Sequence, residues 1–275
     1  MLAPTYSYVA DLLRRRTSIS LAERQMPWVE ARLTPLARRL GDDSVDAMVT
    51  RLRDSHEGDL HDLVAQSVTV TETSFFRDPA VFDELAADLL PQAWDARRPE
   101  PVRVWSAGCS SGQEPYSVAM LAHDFVAAKP GAQVSVLATD WSVAMVERTR
   151  SATYSHLEVN RGLPARRLVR AMHRDGAGWR VRHDVRALVT VRRHNLVTDP
   201  VPVGTVDVLL LRNVLIYFDP DVRRRVLARV ASALAPGGFL VLGGSEWAVD
   251  APAGLVRGRG GRAPWYRLAR PEAPR

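Results

Sequence analysis

Five short stretches of β-branched and apolar residues punctuate the second part of this 275-residue chain. They are "VRVWSA" from Val102, "QVSVLATD" ending at Asp140, "ALVTVRRHNL" ending at Leu196, "VDVLLLRN" ending at Asn213 and "GFLVLGG" ending at Gly244. Runs this short and this apolar read as strands, and helical stretches separate several of them. Strands alternating with helices specify an α/β architecture, a mostly parallel sheet with helices on both faces. Such sheets bind ligands beyond the carboxyl ends of their strands. The residues that close each stretch are therefore the first place to look for function.

Residues 1–95 carry the other rhythm and read as helical. In "VEARLTPLARRLG", Leu33, Leu36 and Leu40 recur at helical spacing; Thr34-Pro35 should cap or kink that helix and Gly41 should end it. Two shorter helices are expected at "DSVDAMVTRLR" and "DLHDLVAQSV", and another at "DPAVFDELAADLLPQAW", with Asp78 and Pro79 as N-cap and first residue. This predicts a helical domain over 1–95 and a sheet domain over 96–275, hinged at Pro91 to Pro101. The "RGRGGR" at 257–262 resembles arginine-glycine segments of RNA binders, but glycine pairs chiefly mark turns, and a plain turn is expected there.

The charge balance, +6, comes from 37 basic residues of which Lys129 is the one lysine. A basic surface favours acidic partners without choosing among them. No apolar run approaches the roughly 18 to 20 residues that span a bilayer. The basic run of "MLAPTYSYVADLLRRR" follows its apolar residues, the reverse of a secretory signal. A cytoplasmic protein with no membrane insertion is expected. The single cysteine, Cys109, excludes an internal disulfide; it could be a reactive thiol, but it reads more readily as a small residue packed in a loop, and no histidine spacing suggests a metal.

"VWSAGCSSGQEPYS", residues 104–117, joins the first strand to a helix. Gly108 and Gly112 permit a tight turn and close approach of a ligand to the backbone. Their G-x-x-x-G spacing meets neither the dinucleotide nor the P-loop pattern, and no lysine follows. Glu114 would repel a pyrophosphate but suits a ligand with positive charge, such as the amino group or sulfonium of S-adenosylmethionine. It also stands three residues after Ser111, the spacing of a capping box in which it serves only the helix. Asp140 closes the next strand, where a carboxylate can accept from both ribose hydroxyls, or cap the helix starting near Ser142. Asn195 and Asn213 close two more strands. Their side chains can read an adenine edge or hold a carboxylate, or simply make turns. A strong general base is missing, as are a G-x-S-x-G elbow and a kinase signature. Methyl transfer to a carboxylate needs none: glutamate, with a reference pKa of about 4.3, is already an anion at neutral pH.

In this order, "TVTETSFFRDPAVF", "VWSAGCSSGQEPYSVAM", "ATDWS", "YSHLEVNRGLP", "RHNL" and "LLLRNVLIYFDP" resemble the CheR-type chemotaxis receptor methyltransferases, from about residue 5 to 268. The resemblance implies a class I S-adenosylmethionine-dependent methyltransferase domain with a Rossmann-like sheet. It also implies an all-helical N-terminal domain and a small β-subdomain inserted at about 153–190. It implies transfer of a methyl group from S-adenosylmethionine to glutamate side chains on chemoreceptor helices, leaving S-adenosylhomocysteine. Carried over position by position, Thr71, Thr73 and Arg77 reach the cofactor from the helical side. Glu114, Asp140, Asn195, Leu196, Asn213 and Val214 complete its pocket. Arg77 and Tyr217 are the candidate catalytic residues, the first gripping the methionine carboxylate bidentately, the second orienting the acceptor carboxylate or packing as an ordinary tyrosine. Phe75 and Phe76 read as core anchors. The family usually has asparagine where this chain has Thr71, whose hydroxyl is shorter and lacks the amide's donors.

The resemblance also supplies an acidic partner. Arg32, Arg38 and Arg39 could guide glutamate-rich receptor helices, or form a solvated face. A strand edge of the β-subdomain could add a peptide strand from a receptor tail. Two other functions remain open: a cofactor-binding regulator without catalysis, and a nucleic-acid or small-molecule methyltransferase on the same fold. No nucleic-acid partner is expected.

Overall fold

In the computed structural model, which describes residues 1–56, 58–246, 251–258 and 263–270, the five apolar stretches all become strands of one sheet. They are β1 (Val102–Ala107), β2 (Val134–Asp140), β6 (Val189–Arg193), β7 (Val206–Leu211) and β8 (Leu234–Leu242). β9 (Leu255–Arg257) and β10 (Trp265–Leu268) complete it in the order β6-β2-β1-β7-β8-β10-β9. The first five pair in parallel, and β10 runs antiparallel to both β8 and β9. Every residue of β7 is buried, as expected for a central parallel strand covered on both faces. The winding leaves β1 in one direction toward β2 and β6, and in the other toward β7 and β8. The carboxyl end of β1 is thus the switch point where such sheets bind ligands.

Between β2 and β6 the chain builds a separate three-stranded antiparallel sheet, ordered β3 (Thr153–Tyr154), β5 (Gly178–Val181) and β4 (Met172–Asp175). It occupies most of the stretch expected as a β-subdomain, and Val189, at the end of that stretch, already belongs to the large sheet.

The chain divides into two compact units: Met1–Val70 with Tyr217–Val222, and Thr71–Ile216 with Arg223–Arg275. The division falls upstream of the boundary expected near residue 95. The reason is packing. Phe82, Leu85, Leu89, Leu90 and Trp94, along the helical run Pro79–Arg97, share one core with Val102 and Val104 of β1 and Val208 of β7. Pro91 lies within that run, so no hinge opens there.

The first unit holds helices Ala3–Thr17, Met26–Arg39, Val45–Arg53 and Asp59–Ser67. Pro35 lies inside the second of these and does not end it: the carbonyl it cannot bond is that of Ala31, which is exposed to water. Gly41 does end it. Its amide donates to Arg38 and that of Asp42 to Ala37, the paired bonds of a Schellman turn. Val29, Leu33, Leu36 and Ala37 face inward, and Arg32, Arg38 and Arg39 lie on the exposed side. Tyr217–Val222 joins this unit through a bridge between Ile19 and Phe218 and a bond of 2.9 Å from Ser20 to Asp219. Most of "RGRGGR", residues 259–262, lies outside the described residues.

Candidate cofactor site

β1 must turn quickly into the helix Gln113–Ala128. Gly108 (φ +77°) and Gly112 (φ +95°) take the left-handed bends. The amides of Gly108 and Cys109 both donate to the Thr139 carbonyl at 2.8 Å, which stitches this loop to β2. A Cβ on Gly108 would lie 2.7 Å from Val214 Cγ2, so the loops after β1 and β7 are in contact. Gly108→Ala is expected to cost at least about 1–2 kcal/mol through its left-handed backbone alone, and to push Val214 aside. A thermal melt reads the first effect and S-adenosylmethionine calorimetry the second. Cys109 is buried, and burial pushes its thiol well above the ordinary range, so it is the inert packed residue the sequence suggested.

Asp140 ends β2 partly exposed. Its Oδ2 accepts the Ser110 amide and its Oδ1 the Ser142 amide, each at 2.8 Å, and the Trp141 amide donates to it as well. Burial raises the carboxyl's pKa; the three amides oppose this without overcoming it. Asp140 does not cap the following helix. Ser142 does, its Oγ accepting from the Met145 amide.

Glu114 does not serve a capping box. Gly112 occupies the N-cap and Ser111 Oγ donates to Gln113 Oε1, so no capping box forms. Glu114 Oε1 instead accepts from Ser106 Oγ at 2.8 Å, and Oε2 from Arg212 at 2.9 Å. The side chain of Arg212 is 1% exposed. Its other terminal nitrogen donates to the Arg77 carbonyl at 2.6 Å and to Asp78 Oδ2 at 2.8 Å. Asp78 holds the expected N-cap position, but its carboxylate bonds Arg212 and caps nothing. One buried guanidinium thus ties the acid expected to meet the cofactor to the turn that carries Arg77.

Two of the remaining candidate segments adjoin the loops after β1 and β2, Thr71 through Ser110 and the turn at Asn195 through the Asp140 carbonyl. Arg77 is partly exposed and donates to the Glu72 carbonyl at 3.2 Å. The Thr71 carbonyl accepts from Ser110 Oγ at 2.7 Å, which brings the segment against the loop after β1. That contact is main-chain, so threonine in place of the family's asparagine leaves it intact. Thr73 is partly exposed beside it. Phe75 and Phe76 are buried, as expected of anchors: Phe75 packs edge-on against Tyr154 at 5.0 Å and the Phe76 amide donates to Ser117. Asn195 makes a turn, its Oδ1 accepting the Val197 amide, while Leu196 is buried. The His194 amide donates to the Asp140 carbonyl and holds this turn at the end of β2. Tyr217 is a residue of the first unit.

A profile described as "CheR methyltransferase, SAM binding domain" matches residues 71–254. The chain belongs to the CheR methyltransferase family. It is 37% identical to chemotaxis protein methyltransferase 1 of Pseudomonas aeruginosa, over 85% of this chain and 86% of that one. It is 37% identical to chemotaxis protein methyltransferase 1 of Vibrio cholerae over 88% of each chain. Against the Escherichia coli chemotaxis protein methyltransferase the identity is 33%, over 86% of this chain and 82% of the other.

This CheR methyltransferase is an S-adenosylmethionine-dependent enzyme, and its sheet has the class I methyltransferase order with its antiparallel strand next to the edge. The residues present suit that cofactor. The Asp140 carboxylate stands at the end of β2, and Glu114 lies in the first helical turn after β1 with Arg212 as its partner. The loop between β1 and that helix has positive-φ glycines and no lysine, which fits a nucleoside with hydroxyl and ammonium donors better than a phosphate. Among the described residues no helix is long and apolar enough to cross a membrane. Sequence reasoning passed over Arg212. An arginine directly after the apolar "VLLL" that ends β7 was the available signal, since a charge there must find a partner or be solvated.

Proposed function

We propose that this chain transfers the methyl group of S-adenosylmethionine to glutamate side-chain carboxylates on the cytoplasmic helices of chemoreceptors, forming glutamate methyl esters within the cytoplasm. The observation that carries this reading is the 37% identity to chemotaxis protein methyltransferases across 85% or more of the chain. The cofactor, when bound, supplies an electrophilic methyl on a positively charged sulfur. The acceptor carboxylate attacks as an anion, the new bond being carbon to oxygen, and the electron pair of the broken bond stays with sulfur. The protein's contribution is alignment, so a constellation without a strong base is sufficient.

In this reading the partly exposed face of Asp140 accepts from the ribose hydroxyls. Glu114, already braced by Ser106 and Arg212, offers its remaining lone pairs to the cofactor's amino group. Arg77 grips the methionine carboxylate, and Thr71, Thr73, Asn195, Leu196, Asn213 and Val214 complete the pocket. Tyr217 orients the acceptor carboxylate. The exposed Arg32, Arg38 and Arg39 attract glutamate-rich receptor helices.

The test is incubation with methyl-labelled S-adenosylmethionine and a purified receptor cytoplasmic fragment. Base-labile label on the fragment, released as methanol, is the expected result. Tight S-adenosylmethionine binding with no label on any receptor fragment would replace this reading with that of a cofactor-binding regulator.

A further inference from the structure

The loop after β7 carries Asn213 and Val214, and its conformation is set by a residue outside every motif above. Asn213 has φ +58°, a left-handed bend in a non-glycine residue. Around such a bend successive amides point the same way and form a concave anion site. Here the site is filled from within the protein. Glu246 Oε2 accepts from the Asn213 amide at 2.8 Å, and Oε1 from the amides of Val214 at 3.0 Å and Leu215 at 2.8 Å. Oε2 also accepts from Gly243, the residue following β8, at 2.8 Å. Four main-chain donors from two loops therefore meet one carboxylate that is 2% exposed.

Position 243 must be glycine for this to happen. A Cβ there would lie 2.7 Å from Glu246 Oε2 and 2.8 Å from both the Asn213 amide nitrogen and its side-chain Nδ2. The clasp thus fixes Asn213 against the end of β8, while Val214 lies against Gly108 on the other side.

We infer that Glu246 is a positioning residue for methyl transfer. Its carboxylate locks the rim loop that presents Asn213 and Val214, and it consumes the loop's amides so that the rim does not bind anions. The inference rests on the proposed placing of Asn213 and Val214 at the cofactor. Glutamine at 246 keeps the shape but turns an NH2 toward N–H donors, so it breaks the clasp with little loss of volume.

The experiment is calorimetry with S-adenosylmethionine on the wild type and on E246Q, N213A and the double variant, with folding checked by circular dichroism. E246Q is expected to weaken binding at least tenfold, and the double variant to bind no worse than about the weaker single variant, because Glu246 acts through Asn213. In E246A, acetate is expected to enter the vacated amide cluster and recover part of the lost affinity, a rescue that general destabilisation does not produce. If E246Q fails to fold, E246D is read in the same cycle; it keeps the charge with a shorter reach and should fall between wild type and glutamine-like loss. Wild-type affinity in folded E246Q or E246D beside a weakened N213A overturns the inference alone. Wild-type affinity in N213A overturns the placing of the loop at the cofactor, and the inference with it.

Discussion

Replacing Arg212 with methionine is expected to destabilise the sheet unit by about 3–5 kcal/mol, the usual cost of removing one partner from a buried ion pair. Methionine fills much of the volume, so the loss is electrostatic and not a cavity effect. Glu114 keeps only the Ser106 hydroxyl, while the Arg77 carbonyl and Asp78 lose their donor. Lysine does not repair this, because a single ammonium cannot fork to acceptors on separate segments as a guanidinium does. The chain has two units, so the transition to follow in guanidinium is the one that added S-adenosylmethionine shifts to higher denaturant. Its midpoint should fall with the slope unchanged. Adding Glu114→Gln to the methionine variant should return part of the loss, since the stranded charge is then gone. A drop below about 1 kcal/mol, the size of an exposed pair, would show that Arg212 does not carry this network.

The same network marks where sequence reasoning stops. The central strands were legible because a parallel strand buried on both faces is a nearly continuous apolar run, and "VDVLLL" breaks that run only at Asp207, whose carboxylate accepts the Arg103 amide. The unit boundary was not legible. The helical periodicity of Pro79–Arg97 is the same whichever core it packs against, and its actual partners are Val102, Val104 and Val208. The acids at the strand ends could be picked out from their positions after the loops. Their partners could not, because Arg212 reaches Glu114 across 98 residues and Asp78 across 134. Glu114 shows the hazard most plainly. Its spacing from Ser111 satisfies the capping-box pattern, yet the charge of Arg212 outcompetes a cap, which is worth about 1 kcal/mol. Glu246 left no trace at all, since "GGSE" reads as an ordinary polar turn and its meaning lies in amides that approach it from β7.

Asp140→Ala is expected to weaken S-adenosylmethionine binding at least tenfold, about 1.4 kcal/mol or more. It removes the proposed ribose acceptor and frees the amides of Ser110 and Ser142 together. The pH dependence separates these two roles. Burial raises the Asp140 pKa, so without cofactor this group favours the fold below its unfolded value, about 3.9, and gives up that contribution as pH rises through the folded value. Cofactor affinity runs in the opposite sense, because ribose hydroxyls donate best to the ionised carboxylate. Wild-type affinity should therefore decline as pH is lowered through a value raised above the ordinary aspartate pKa. Asp140→Asn, which cannot titrate, should bind weakly with no such step, and the difference between the two calorimetric profiles isolates Asp140 from every other acid in the chain. Binding of wild-type strength in Asp140→Ala, or identical profiles for wild type and Asp140→Asn, would remove this carboxylate from the cofactor and leave it the purely local task of joining the loops after β1 and β2.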